Sequence, residues 1–124
     1  MRCYATFLLS GAILAMTSAA SAHHSAAGFF DQKKTVEVSG VVKQWRFGNP
    51  HPMMLLEATD ESGQKVSWHL ELTGAATLRA KQGWSAKTFS PGEAVTAVGN
   101  PSLRADAHLL LVRKFTRADG RPVP

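Results

Sequence analysis

The chain has 124 residues, with 14 Lys and Arg against 9 Asp and Glu, a formal net charge of +5 and one cysteine. This length allows a single domain with a modest core, and one cysteine excludes an internal disulfide. There is no Gly-rich phosphate loop, no G-x-S-x-G, no His-Glu-x-x-His and no paired acidic motif of calcium-loop type, so catalysis would have to rest on the histidines and a metal.

The N-terminus reads as a leader. Arg2 supplies a positive charge, residues 4–16 form an apolar stretch broken only by Thr6, Ser10 and Gly11, and small residues follow to Ala22. The apolar part is shorter than the roughly 20 residues that cross a bilayer, which is the layout of a cleavable signal peptide over residues 1–22. Cleavage after Ala20-Ser21-Ala22 leaves His23 first; cleavage after Ser18-Ala19-Ala20 leaves Ser21 first. Either removes Cys3 and predicts an exported protein, periplasmic or extracellular, with no transmembrane segment once the leader is gone. Without Arg2 the mature chain keeps 13 basic residues against 9 acidic. An exported basic protein meets anionic envelope lipids, glycans and acidic proteins first, so an anionic envelope component is an expected partner and nucleic acid is disfavoured.

Residues 23–34 form an N-terminal arm, residues 35–120 a β-domain and residues 121–124 a tail. Residues 35–47 alternate Val36, Val38, Gly40 and Val42 against Glu37, Ser39 and Lys43, as a half-buried strand does, and Gly40 in its middle predicts a bend. Gly48-Asn49-Pro50 ends it. A second strand over 52–58 and a third over 65–73 flank the turn chemistry of Thr59 to Gly63, and in the third Val66, Trp68, Leu70 and Leu72 alternate against Ser67, His69, Glu71 and Thr73. Residues 75–82 are rich in helix formers and stop at Gly83, which predicts a short helix. Strands over 94–98 and 107–116 follow, separated by Gly99-Asn100-Pro101. Three strands, a helix and two strands give an all-β fold with one short helix in the order of a five-stranded OB-like barrel, with a small open β-sandwich as the alternative.

An OB barrel fixes no ligand, so specific residues must. His23 and His24 stand at the cleavage site. As a terminal residue His23 would offer its α-amine and imidazole to one metal ion, and starting from Ser21 the same histidine becomes third, an arrangement that wraps Cu(II) or Ni(II) in nitrogen donors. Asn49-Pro50-His51-Pro52-Met53 places a histidine between two prolines, and alternation sets the Met53 thioether on the face of His51. His23, His24, His51 and Met53 are therefore the candidate copper ligands. A frayed terminus and a loop histidine beside core methionines would carry the same residues. His69 and Glu71 share the polar face of the third strand, where they could form an acid/base pair or simply a solvated surface. Trp45 beside Arg46 is the candidate stacking platform, whereas Trp68 alternates inward and His108 stands at the barrel end. Lys43, Arg46, Arg113, Lys114 and Arg117 are the cations from which a basic face could be built.

Ala22-His23-His24-Ser25, Val38-Ser39-Gly40-Val41-Val42, Asn49-Pro50-His51, Trp68 followed by Glu71, Leu78-x4-Gly83-Trp84, Pro91-Gly92-Glu93-x-Val95 and Asp119-Gly120 together resemble the domain of unknown function 6152 family. The resemblance spans nearly the whole mature chain and implies export and an OB-like barrel, with no activity attached. Its members often read Asn-Pro-His-Val-Trp, where this chain has Pro52 and Met53 after His51.

These readings describe an exported binding module of the periplasm that takes copper through a histidine cluster. The alternatives are a basic interaction module for an anionic envelope partner and a copper-dependent enzyme.

Overall fold

The computed structural model describes residues 26–121 and Val123. The segment expected to be a signal peptide, His23 and His24 lie outside the described residues. Five strands, β1 (Val36–Arg46), β2 (Met53–Thr59), β3 (Lys65–Glu71), β4 (Ala94–Pro101) and β5 (Leu109–Arg117), close a barrel in the order β1-β2-β3-β5-β4. The helix α1 (Ala75–Gln82) joins β3 to β4. All pairings are antiparallel except β3 with β5. Closure rules out the open sandwich, with β3 and β5 meeting over three residues of each, His69 to Glu71 and Leu109 to Leu111.

The bend expected at Gly40 is where β1 passes from one half of the barrel to the other, pairing with Ala58 of β2 and with Val95 of β4. A Cβ there would stand 2.4 Å from the carbonyl oxygen of Glu57, so only glycine lets the strands approach this closely. Gly99 has the same role in β4, where a Cβ would meet the Leu111 carbonyl oxygen at 2.2 Å. The sequence read Gly99-Asn100-Pro101 as a break. The strand instead continues through it to Pro101, with an irregular register between Val98 and Gly99.

Val38, Val42, Met54, Leu56, Leu70, Val95, Ala97, Leu110, Val112 and Phe115 fill the barrel. Beside them Trp45, Trp84 and Phe89 pack edge to face, with ring centroids 5.1 to 6.0 Å apart. The helix contributes Ala75 and Leu78 and ends at Gly83, whose φ of 68° lies in the left-handed region while its N–H donates to the Arg79 carbonyl.

The N-terminal arm is part of the fold. A short 3-10 turn, Ala26–Gly28, leads to Phe30, which is 4% exposed and bridges Ser102. The Asp31 N–H donates to the Pro101 carbonyl, and the Leu103 N–H to that of Phe29. At the other end Val123 is buried, and its N–H donates to Phe115. No described helix is long and apolar enough to cross a membrane.

Candidate functional site

Between the arm, the β1–β2 loop and the β3–β5 seam lies a cavity of about 550 Å³. Phe29 and Phe30 border it from the arm, His51 from the loop, Glu71 from the end of β3, and Leu109, Leu111 and Arg113 from β5. The pairing explains the convergence. Glu71 stands opposite Met53 at the start of β2 and opposite Leu111 on β5, so the end of β3 brings the β1–β2 loop next to β5. Residues 109–112 form an unbroken apolar run because β5 is covered on both faces: Leu110 and Val112 face the barrel core, and Leu111 is buried on the other side. His51 itself is exposed and follows a cis Asn49–Pro50 peptide.

Arg113 is oriented through its backbone-proximal nitrogen. Its Nε donates to Asn100 Oδ1 at 2.7 Å, and Asn100 Nδ2 donates to the Lys34 carbonyl at 2.8 Å. Asn100 is 5% exposed and is the one buried polar residue among those described. Both of its amide groups are thus committed.

A second, shallower cleft of about 160 Å³ lies on the outer face of β1–β3, lined by Gln44, Arg46, Met53, Leu55 and His69. It corrects several expectations. Met53 opens onto this cleft and not onto the cavity of His51, because β2 begins only at Met53 and the alternation does not extend back through Pro52. His69 and Glu71 lie on one strand face but border different recesses, so they form no acid/base pair. Trp45 is no stacking platform. The register shift between Val42 and Gln44 turns it inward, where its Nε1–H donates to the Ser85 carbonyl at 2.9 Å and its ring meets Phe47, Trp84 and Phe89. Arg46 is exposed and borders the outer cleft. Trp68 is half-buried against the core, with the His108 ring 5.1 Å away at the barrel end.

Of the five cations named above, Lys43 and Arg117 have acidic partners. Lys43 pairs with Glu57 at 3.7 Å and Lys65 with the same carboxylate at 2.9 Å. Arg117 bonds Glu93 and lies over the Phe89 ring. Glu57 is held below its ordinary 4.5 chiefly by the Lys65 hydrogen bond, and Asp60 below 3.8 chiefly by the Ser62 hydroxyl and the Gln64 N–H. Among the described residues no three His, Cys, Asp or Glu side chains come together as a metal site. His51 and Glu71 are two donors that would need others to complete a coordination shell.

A closed five-stranded barrel with a helix between β3 and β4 is an OB-fold. The chain belongs to the family of unknown function DUF6152, whose model matches residues 12–110. No curated protein matches it. Among solved structures it is similar to the mitochondrial single-stranded DNA binding protein Rim1 of S. cerevisiae, at 7% identity and TM-score 0.51 over 68% of this chain and 92% of that one. It is also similar to the N-terminal domain of PriB from Thermoanaerobacter tencongensis, at 19% identity and TM-score 0.45 over 74% and 98% of the two chains. The expectation that nucleic acid is disfavoured as a partner is corrected here, because a structure of this architecture is that of a single-stranded DNA binding protein. Export argued against meeting nucleic acid; the fold does not.

Proposed function

We propose that the protein is an exported binding module that holds a copper ion at the edge of the arm cavity, with His51 and the N-terminal histidines as ligands. The observation that carries this is the position of Ala26, which borders the same cavity as His51 and Glu71. His24 and His23 precede Ala26 by two and three residues, and a fully extended chain of that length spans at most about 11 Å. A mature chain that begins at His23 would therefore start within reach of the imidazole of His51 and the carboxylate of Glu71, which border this cavity. Imidazoles with a terminal amine suit Cu(II), and their deprotonation makes affinity fall as pH drops below about 6. The described donors fit such a site only as part of a larger set, and this makes the reading testable.

Native mass spectrometry of the protein exported with its own leader and supplied with copper reports cleavage and metal together. A mass beginning at His23 with one copper retained supports the reading. A correctly processed, metal-free mass contradicts it.

A second reading places a single-stranded nucleic acid, or another polyanion, across the outer cleft. The β2–β3 face is the surface on which OB-folds commonly bind oligonucleotides, and Arg46 borders the cleft with no ion-pair partner among the described residues. The inward turn of Trp45 leaves the cleft lined by no aromatic ring apart from His69, so base stacking would have little support. Fluorescence anisotropy with an oligothymidylate separates the two. Binding that weakens steeply with salt and is reduced in Arg46→Ala would favour the polyanion; no binding at low salt would remove it.

A further inference from the structure

The arm cavity has a feature that a metal does not use. Leu109, Leu111, Leu72 and Phe30 give it apolar walls, and Arg113 stands at its border. The only hydrogen bond of the Arg113 side chain among the described residues is from Nε to Asn100, so its two terminal amino groups have no partner there. The Asn100 carboxamide is itself fixed by the Lys34 carbonyl, which leaves the guanidinium little freedom to turn away. The geometry points to a second ligand: we propose that the cavity binds a small amphipathic carboxylate, its acid group on the terminal amino groups of Arg113 and its aliphatic body along Leu109, Leu111 and Phe30.

The size fits, since 550 Å³ lies within the roughly 300–1,000 Å³ of small-molecule sites, which pair apolar walls with a few fixed polar groups. Charge selects the acid. A planar guanidinium offers a carboxylate two parallel N–H donors, and pinning Nε in advance lowers the cost of ordering them. Glu71 borders the same cavity, but its register partner is Leu111, and Arg113 is two residues further along β5. Among the described residues Arg113 makes no ion pair with that carboxylate, so its terminal amino groups remain available to an acid. The site shares a cavity with the proposed copper ligands but does not depend on the metal.

The test is calorimetric titration of the mature protein, in EDTA, with octanoate, 1-octanol and octylammonium as probes. Octanoate is expected to bind at least tenfold more tightly than either of the others. Arg113→Gln should lose that tenfold preference while keeping its affinity for octanol, and Arg113→Lys, which keeps the charge but not the fork, should fall between. Amide chemical-shift changes on adding octanoate should centre on residues 29–30 and 109–113. Equal affinity for octanoate and octanol, unchanged octanoate binding in a folded Arg113→Gln, or no octanoate binding would each overturn the proposal. The EDTA separates it from the copper reading, because octanoate bound by the metal-free protein supports this site whether or not copper binds.

Discussion

His51 and Glu71 border one cavity although the whole β2–β3 hairpin separates them in sequence, because Glu71 pairs with Met53 and so lies beside the loop that carries His51. The convergence depends on the register of that hairpin. A slip of one residue would send Glu71 to the barrel interior and leave His51 without a neighbouring carboxylate.

The approach of β1 to β2 at Gly40 sets the curvature of the barrel. Gly40→Ala puts a methyl group 2.4 Å from the Glu57 carbonyl oxygen, so the backbone must shift to accept it. We expect a loss of about 1–3 kcal/mol, as for other overpacked sites, read as a fall of at least about 4 °C in Tm for a domain of this size. An unchanged Tm would mean that β1 and β2 separate more easily than their pairing indicates.

Trp45 is a packing residue. Trp45→Ala removes its edge-to-face contacts with Trp84 and Phe89 and its bond to Ser85, and should cost about 3–5 kcal/mol. Trp45→Phe loses mainly the hydrogen bond, about 1 kcal/mol, and should leave copper and oligothymidylate binding unaltered. A ligand-binding defect in a stable Trp45→Phe would restore the platform reading.

The carboxylates Glu57, Asp60, Asp106 and Asp119 are all held below their ordinary values by hydrogen bonds, joined at all but Asp60 by nearby cations. For a group whose folded value is depressed, the stabilisation is complete above the unfolded value and is lost as pH falls through the folded one. Thermal stability should therefore be flat above about pH 5 and decline below about pH 4. Glu57 accepts from Lys65 and pairs with Lys43, so Glu57→Gln should make that decline shallower. Since these groups are exposed, the effect of each is small. A Tm that rises on acidification would contradict the assignment.

The barrel was legible because its strands carry period-two patterns and its helix carries a glycine stop. Gly40 was identified as a bend from its place within an alternating strand. The limits of that logic appear where the register shifts: the irregularity between Val42 and Gln44 inverted the face assigned to Trp45, and the one at Gly99 hid the last residues of β4. A bulge adds one residue to one strand, and no local composition marks it reliably. Of the candidate site, His51 and Glu71 each stand out by their chemistry, but strand alternation pairs Glu71 with its neighbour His69, and only the fold sets it beside the loop of His51. Arg113 was read as one cation among several. Its signal was the apolar run 109–112, since a strand apolar on both faces calls for a cover, and that cover is the arm bearing Phe29 and Phe30.

Copper binding tests the central claim most directly, provided the terminus and the loop are separated, because a histidine-bearing terminus binds Cu(II) by itself. Cu(II) affinity and the imidazole nitrogen couplings in its electron paramagnetic resonance spectrum should be measured for the mature protein beginning at His23 and for His51→Ala. The account predicts that His51→Ala loses one imidazole coupling and at least tenfold in affinity, about 1.4 kcal/mol. An identical spectrum and affinity in the two proteins would show that the terminus holds copper without the barrel, and would contradict the site proposed here.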